Sequence, residues 1–92
     1  MDPSNDALLG LLADHRTVEA LAAVEHERWA HWQQYLHEQC ARNDDGSLTI
    51  PAPLVSRWAS QMATPYAELS ESEKESDREQ VREYIATLRR LS

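Results

Sequence analysis

Apolar residues recur at three- and four-residue steps along most of this chain, the spacing that places side chains on one face of an α-helix. Between Ala7 and Cys40 only Gly10 interrupts a run that is rich in the helix-forming residues Leu, Ala, Glu and Gln. The pattern predicts four helices. The first covers residues 7–13, and the second runs from an N-cap at Asp14 or Thr17 to about residue 39. The third covers about residues 53–62, and the fourth begins at Ser70.

The fourth helix has the strongest start signal. Ser70 and Glu73 have the spacing of a capping box, in which the serine hydroxyl accepts a bond from a free backbone N–H and the glutamate reaches back. Arg89 and Arg90 suit the negative end of its dipole. We expect its inward face to consist of Val81, Ile85, Leu88 and Leu91.

A turn separates the second and third helices, because the segment 42–46 contains Asn43, two aspartates and Gly46. Residues 47–50 alternate between polar and apolar side chains and include the β-branched Thr49 and Ile50, which favours a short extended segment. We expect no sheet, since the sequence shows no partner strand. Pro51 and Pro53 set the entry to the third helix, and Thr64 before Pro65 ends it.

A chain of 92 residues has the length of one domain. The predicted architecture is therefore all-α, a small single-domain helical bundle of about four helices, with residues 1–6 flexible. We expect the long second helix and the last helix to pack together, the third helix to cover one side, and the core to be one modest cluster.

Charge and composition limit the classes of binding partner and binding site that this chain can have. Nine Lys and Arg against sixteen Asp and Glu give a net charge of −7, which argues against a nucleic-acid polymer or an anionic membrane as partner. The single Cys40 allows no internal disulfide and no multi-cysteine zinc site. Since the sequence also shows neither a signal peptide nor a long apolar run, we expect a cytoplasmic protein.

Ionisable residues interrupt the apolar faces of the second and fourth helices close to tryptophans. Such groups either pair with each other, Glu25 with Arg78 or His26 with Asp77, or line a pocket for a ligand. Trp29 and Trp32 taken alone are better explained as core residues than as a stacking surface.

Motifs for catalysis and metal binding are missing. His26 and His31 are five residues apart, so they do not share the helix face that a zinc pair needs. His37 and Cys40 have no orienting third group in the sequence. We therefore expect no enzyme activity, no metal and no cofactor.

Two segments resemble the RyR domain, the small helical repeat of ryanodine receptors that also occurs in bacterial and phage proteins. The first runs from Leu21 and Ala22 to His26 and Trp29, and resembles a helix motif of the form LAxxxHxxW. The second resembles PYxxLxxxxKxxxR, and its matching residues are Pro65, Tyr66, Leu69, Lys74, Asp77 and Arg78. The chain departs from the family in having a helix between its Leu54-Val55 step and Pro65, and in lacking a Gly-Trp/Tyr-Gly segment.

The resemblance implies a helical domain without catalytic activity that binds a nucleotide-derived signal, as bacterial and phage members in immune systems do. Trp29, Trp32 and Tyr66 would stack on the base or ribose, and Arg78, Lys74 and Arg57 would neutralise phosphate. Such a module would sequester or sense a cyclic nucleotide or a cyclic ADP-ribose-like messenger. The candidate ligand-binding residues are Glu25, His26, Trp29, Trp32, Tyr66, Lys74, Asp77 and Arg78.

The alternative is a protein-interaction module or homo-oligomeric adaptor without a small-molecule ligand. Its contacts would come from the acidic segment 68–79 and from a wide leucine cluster on the first helix. This cluster either mediates homodimerisation or caps the core, and it consists of Leu8, Leu9, Leu11 and Leu12.

Overall fold

The computed structural model describes residues 3–92, with side chains from Asn5 onward. Over these residues the chain forms four α-helices, and the predicted all-α class is confirmed. The helices are α1 (Pro3–Ala13), α2 (His15–Gln39), α3 (Ala52–Ala63) and α4 (Glu71–Leu91). The remaining elements are two-residue strands β1 (Ala41–Arg42) and β2 (Leu48–Thr49), and a 3₁₀ turn at Tyr66–Glu68.

The break between α1 and α2 is made by Asp14. Its Oδ1 accepts the backbone N–H of Arg16 at 2.8 Å, so Asp14 is the N-cap of α2. Thr17, the other candidate, is buried and donates its hydroxyl to the carbonyl of Leu11 at 2.6 Å. Helix α1 begins at Pro3, earlier than predicted; residues 1 and 2, part of the segment expected to be flexible, lie outside the described residues.

The predicted start of α4 is confirmed. Ser70 Oγ accepts the backbone N–H of Glu73 at 3.2 Å and donates to Glu73 Oε1 at 2.7 Å. This serine therefore satisfies one of the N–H groups that the first turn of a helix leaves free. Upstream, Thr64 has extended backbone before Pro65 and ends α3.

Segment 47–50 does have a partner strand, contrary to the sequence-based expectation. Strands β1 and β2 pair antiparallel, with Ala41 opposite Thr49. Gly46 has a φ of 88°, and the Asn43 side-chain amide donates to the hydroxyls of Ser47 and Thr49 at 2.9 and 3.0 Å. Side-chain hydrogen bonds from Asn43 thus support the hairpin. Hydrophobic periodicity did not predict the pairing because each strand is only two residues long.

The chain divides into two units. The terminal unit comprises the residues through Trp29 together with Asp77–Ser92, and the central unit comprises Ala30–Ser76. Helices α2 and α4 each contribute one part to each unit. None of the described helices combines the length and the apolar character that a membrane span requires.

The predicted apolar core is wrong. Among the described residues only Thr17 and Thr87 are buried, each 3% exposed, and no apolar side chain is. Trp29 and Trp32 are exposed as well. The chain exposes 7303 Å², against roughly 5,400 Å² expected for a folded monomer of 10.5 kDa.

The predicted inward face of α4 is also wrong in part. The covered residues of the terminal unit's portion of α4 include Gln80, Tyr84 and Thr87, whereas Val81 and Ile85 are exposed. Leu88 and Leu91 of the predicted face are half-buried, so the covered side of α4 is displaced toward Gln80, Tyr84 and Thr87 and the predicted face is right only near the end of the helix. Thr87 tolerates burial because its hydroxyl donates to the carbonyl of Glu83 at 2.8 Å.

Candidate functional site

The eight residues predicted to bind a ligand are divided between the two units. The terminal unit contains those of its α2 and α4 segments, and the central unit contains the rest. The first group is Glu25, His26, Trp29, Asp77 and Arg78, and the second is Trp32, Tyr66 and Lys74.

Within the terminal unit, Glu25 is the centre of a hydrogen-bonded group. Its carboxylate accepts bonds from the Arg28 guanidinium, whose Nε lies 3.0 Å from Oε1, and from the Tyr84 hydroxyl. The bond from Arg28 and then the bond from Tyr84 lower the pKa of Glu25 to about 2. Glu25 is therefore ionised at neutral pH, and its carboxylate joins α2 to α4.

The pairing predicted from the sequence is present in a different form. The α4 group that bonds to Glu25 is the hydroxyl of Tyr84. The positive charge that pairs with Glu25 comes from Arg28, which lies on α2 as Glu25 does. Arg78, the partner proposed from the sequence, is half-buried and takes part in an interaction of its own. Tyr84 was not singled out from the sequence because it lies one position away from the apolar row formed by Val81 and Ile85.

His26 and Trp29 form an exposed aromatic pair on α2. Their ring centroids are 6.1 Å apart and the rings are inclined by 22°. Both side chains are exposed, as is Asp77 at the start of the terminal unit's segment of α4. Trp29 therefore has free ring surface, unlike the core residue that its helical position suggested.

In the central unit, two aromatic rings pack against Trp32. Tyr35 stacks on it at 5.5 Å between centroids, and Trp58 of α3 meets it edge-on at 5.7 Å with an angle of 67°. Offset stacking and edge contacts are the favourable geometries for aromatic pairs. Trp32 thus joins α2 to α3, as the expected packing of the third helix requires, and its ring is engaged by other rings.

Tyr66 and Lys74 lie together in the central unit. The Lys74 ammonium is 5.8 Å from the centroid of the Tyr66 ring and 3.8 Å from Glu71 Oε1. The exposed tyrosine ring and the half-buried lysine form a cation–π contact. Arg57, the further phosphate candidate, helps to lower the pKa of Glu73, after the larger effect of the Ser70 hydroxyl.

A cleft of about 580 Å³ lies in the terminal unit between α1 and the end of α4. Its lining includes the apolar side chains of Leu8, Leu11 and Leu91 and the charged side chain of Arg16. The Arg16 guanidinium hydrogen-bonds to Asp14 at 2.7 Å and lowers the pKa of that carboxyl. None of the eight predicted ligand residues lines this cleft.

Groups suited to metal binding do not cluster: among residues 3–92, no three His, Cys, Asp or Glu side chains are placed to hold one ion. The Cys40 thiol donates to the carbonyl of Leu36 at 3.2 Å. The residues described above therefore offer exposed apolar and aromatic surface, with the charged groups engaged within the chain.

No protein-family model, curated protein or solved structure matches this sequence.

Proposed function

We propose that this chain is a non-catalytic helical interaction module that acts by associating with a second copy of itself. The observation that carries the proposal is the exposure of large apolar side chains in both units, together with the lack of any buried one among the described residues. The exposed set includes Leu8, Leu9, Leu12, Val18, Trp29, Val55, Met62, Val81 and Ile85.

The exposed area is large enough for a stable dimer. The chain exposes 7303 Å², roughly 1,900 Å² above the value expected from its mass. A standard protein–protein interface removes about 800 Å² from each partner. Association therefore supplies the apolar burial that a single copy does not achieve, and apolar burial is the dominant favourable contribution to folding.

Self-association predicts stability that depends on concentration. The thermal midpoint should rise as the concentration increases from about 1 μM to about 1 mM, because mass action favours a folded oligomer. Sedimentation equilibrium over the same range should give a mass above that of one chain. A monomer mass and a constant midpoint throughout the range would overturn the proposal.

A second candidate function is the binding of a nucleotide-type messenger, as the resemblance to the RyR domain implies. The specific observation in its favour is exposed ring surface beside cationic or polar groups: Trp29 next to His26, and Tyr66 under the Lys74 ammonium. Planar bases stack on such rings, and a cytoplasmic module of this kind would sense or sequester its ligand, for example in immune signalling between phage and bacterium.

Calorimetry with cyclic AMP, cyclic GMP and cyclic ADP-ribose tests this second function. Binding that Trp29→Leu or Lys74→Gln weakens would support it, and Met62→Leu, at an exposed position outside the candidate residues, serves as the control. No heat and no shift in thermal midpoint with any of the three compounds would count against it.

A further inference from the structure

Helices α2 and α4 are antiparallel within the terminal unit. Asp14 and Arg16, at the start of α2, line the same cleft as Leu91 and Ser92 at the end of α4. Farther along α2, Glu25 accepts a hydrogen bond from Tyr84, which lies earlier in α4. Increasing residue numbers on one helix thus meet decreasing numbers on the other.

The covered residues mark the side of each helix that faces its neighbour. On α2 they include Thr17, Leu21 and Val24, and on α4 they include Gln80, Tyr84 and Thr87. Exposed apolar residues directly follow several of them in the sequence: Val18 follows Thr17, Ala22 follows Leu21, Val81 follows Gln80 and Ile85 follows Tyr84.

One residue along an α-helix is a rotation of about 100° about its axis. Both exposed rows are therefore rotated from the covered rows by the same angle and in the same sense, as seen along each helix from its N-terminus. Because the two helices are antiparallel, equal rotations of the same sense bring the rows to one common side of the pair. Trp29 lies about three helical turns after Val18 and extends the α2 row.

This common side is a single apolar face, defined by Val18, Ala22, Trp29, Val81 and Ile85. Its large side chains are substantially exposed: 57% for Val18, 54% for Trp29, 51% for Val81 and 46% for Ile85. We propose that a second copy of this chain docks on the apolar face through its own apolar face, so that two α2–α4 pairs form a four-helix interface with twofold symmetry. The inference rests on the proposed self-association and assigns it a surface.

Charge favours this face as the contact between two copies. Each copy carries a net charge of −7, so like-charge repulsion opposes association through acidic surfaces such as segment 68–79. The defining residues of the apolar face are all uncharged. The ionised Glu25 in its α2 row is paired with Arg28 of the same copy, so an interface here adds little like-charge repulsion.

Glu25, which shares the α2 row with Val18 and Trp29, is compatible with burial in this interface. Its carboxylate already accepts bonds from Arg28 and Tyr84 within one copy. A charge that keeps its partners on burial avoids the large penalty of an unpaired buried ion. A single polar residue in an apolar seam also favours one register over others.

Val81→Asp tests the interface, with Val55→Asp as its matched control. Val81 is 51% exposed and Val55, on α3 of the central unit, is 50% exposed, so the two substitutions are alike in type and in single-copy exposure. Val81→Asp places two charges in a twofold interface and should raise the dimer dissociation constant at least about tenfold. Val55→Asp should leave that constant within about twofold.

Three outcomes of sedimentation equilibrium with these variants would overturn the inference without touching the proposed function. Val55→Asp could weaken association as much as Val81→Asp, Val81→Asp could leave it unchanged, or Leu9→Asp on α1 could abolish it while Val81→Asp does not. In each case the wild-type chain still associates, which separates this failure from a failure of self-association itself.

Hydrogen exchange on the wild-type chain tests the same surface without a substitution. Raising the concentration should slow backbone exchange in residues 18–29 and 81–85 more than in α3. Equal slowing in both regions, or slowing in α3 alone, would contradict the proposed face even if Val81→Asp did not fold.

Discussion

The two units of this chain use different interactions to join their helices. In the central unit, Trp58 meets Trp32 edge-on and Tyr35 stacks on the same ring, so aromatic surface is shared among three side chains. In the terminal unit, the contact between α2 and α4 includes a carboxylate bonded to Tyr84, while the neighbouring Val81 remains exposed.

This difference shows that apolar content alone does not determine which residues a helix pair covers. The terminal unit covers two threonines whose hydroxyls bond to backbone carbonyls, and leaves larger apolar side chains outside. A threonine whose hydroxyl is hydrogen-bonded tolerates burial, whereas the valine and tryptophan rows remain exposed within one copy. We therefore expect central-unit substitutions to act within one copy and substitutions on the apolar face to act on association.

The largest expected effect within one copy is that of Trp58→Ala. It removes the edge contact to Trp32 and uncovers half-buried apolar surface, which should lower the free energy of unfolding by about 2 kcal/mol. Trp29→Ala, on the exposed side of α2, should change the single-copy value by less than about 0.5 kcal/mol. Urea unfolding at low concentration measures both values, and equal losses would contradict the contrast between the units.

A pair of glycine substitutions should have smaller effects of opposite sign. Gly46 has a φ of 88°, so Gly46→Ala should lower the free energy of unfolding by about 1 kcal/mol although a Cβ there meets no atom within 4 Å. Gly10 lies inside α1, also with open space around it, so Gly10→Ala should raise helix stability by up to about 1 kcal/mol. Thermal unfolding followed by circular dichroism checks the two signs, and a stabilising Gly46→Ala would refute the hairpin geometry.

The smallest expected effect is a change in the acid dependence of the terminal unit. The folded pKa of Glu25 is about 2, below its ordinary value of 4.5, because Arg28 and then Tyr84 bond to the ionised form. The stabilisation is therefore fully present above pH 4.5 and is lost as the pH falls toward 2. Glu25→Gln removes it at every pH, so the gap in thermal midpoint between wild type and variant should close on acidification.

The control for this titration is Glu27→Gln, which removes the same charge from an exposed position on the same helix. Thermal midpoints of the wild type and both variants are compared between pH 7 and pH 2. If the two variants had the same pH profile, the Glu25–Tyr84 contact would not be the source of the acid dependence.

Local interactions made much of the helical architecture readable from the amino-acid sequence. Ser70 and Glu73 mark the start of α4 because a hydroxyl three residues from a free N–H bonds to it whatever the distant contacts are. Pro65 ends α3 for an equally local reason, the steric restriction on the preceding residue. The all-α class followed from such signals together with helical periodicity.

The candidate site was predicted less well, because its contacts join residues that are distant in the sequence. Glu25 was singled out from the sequence as a polar group on an apolar row, but its partner Tyr84 lies 59 residues away and carries no local signal. Trp58, which engages Trp32, was predicted only as an apolar position of a helix. A nucleotide-binding role for these residues stays a prediction from the resemblance to the RyR domain.

The sequence by itself determined where α4 begins and where α3 ends, since helix capping and proline geometry act over a few residues. Only the tertiary structure decided which of two adjacent rows on α4 faces α2. That choice depends on which side chains meet across the gap between the two helices. Tyr84 reaches Glu25 from the covered row, and Val81 is left on the exposed side.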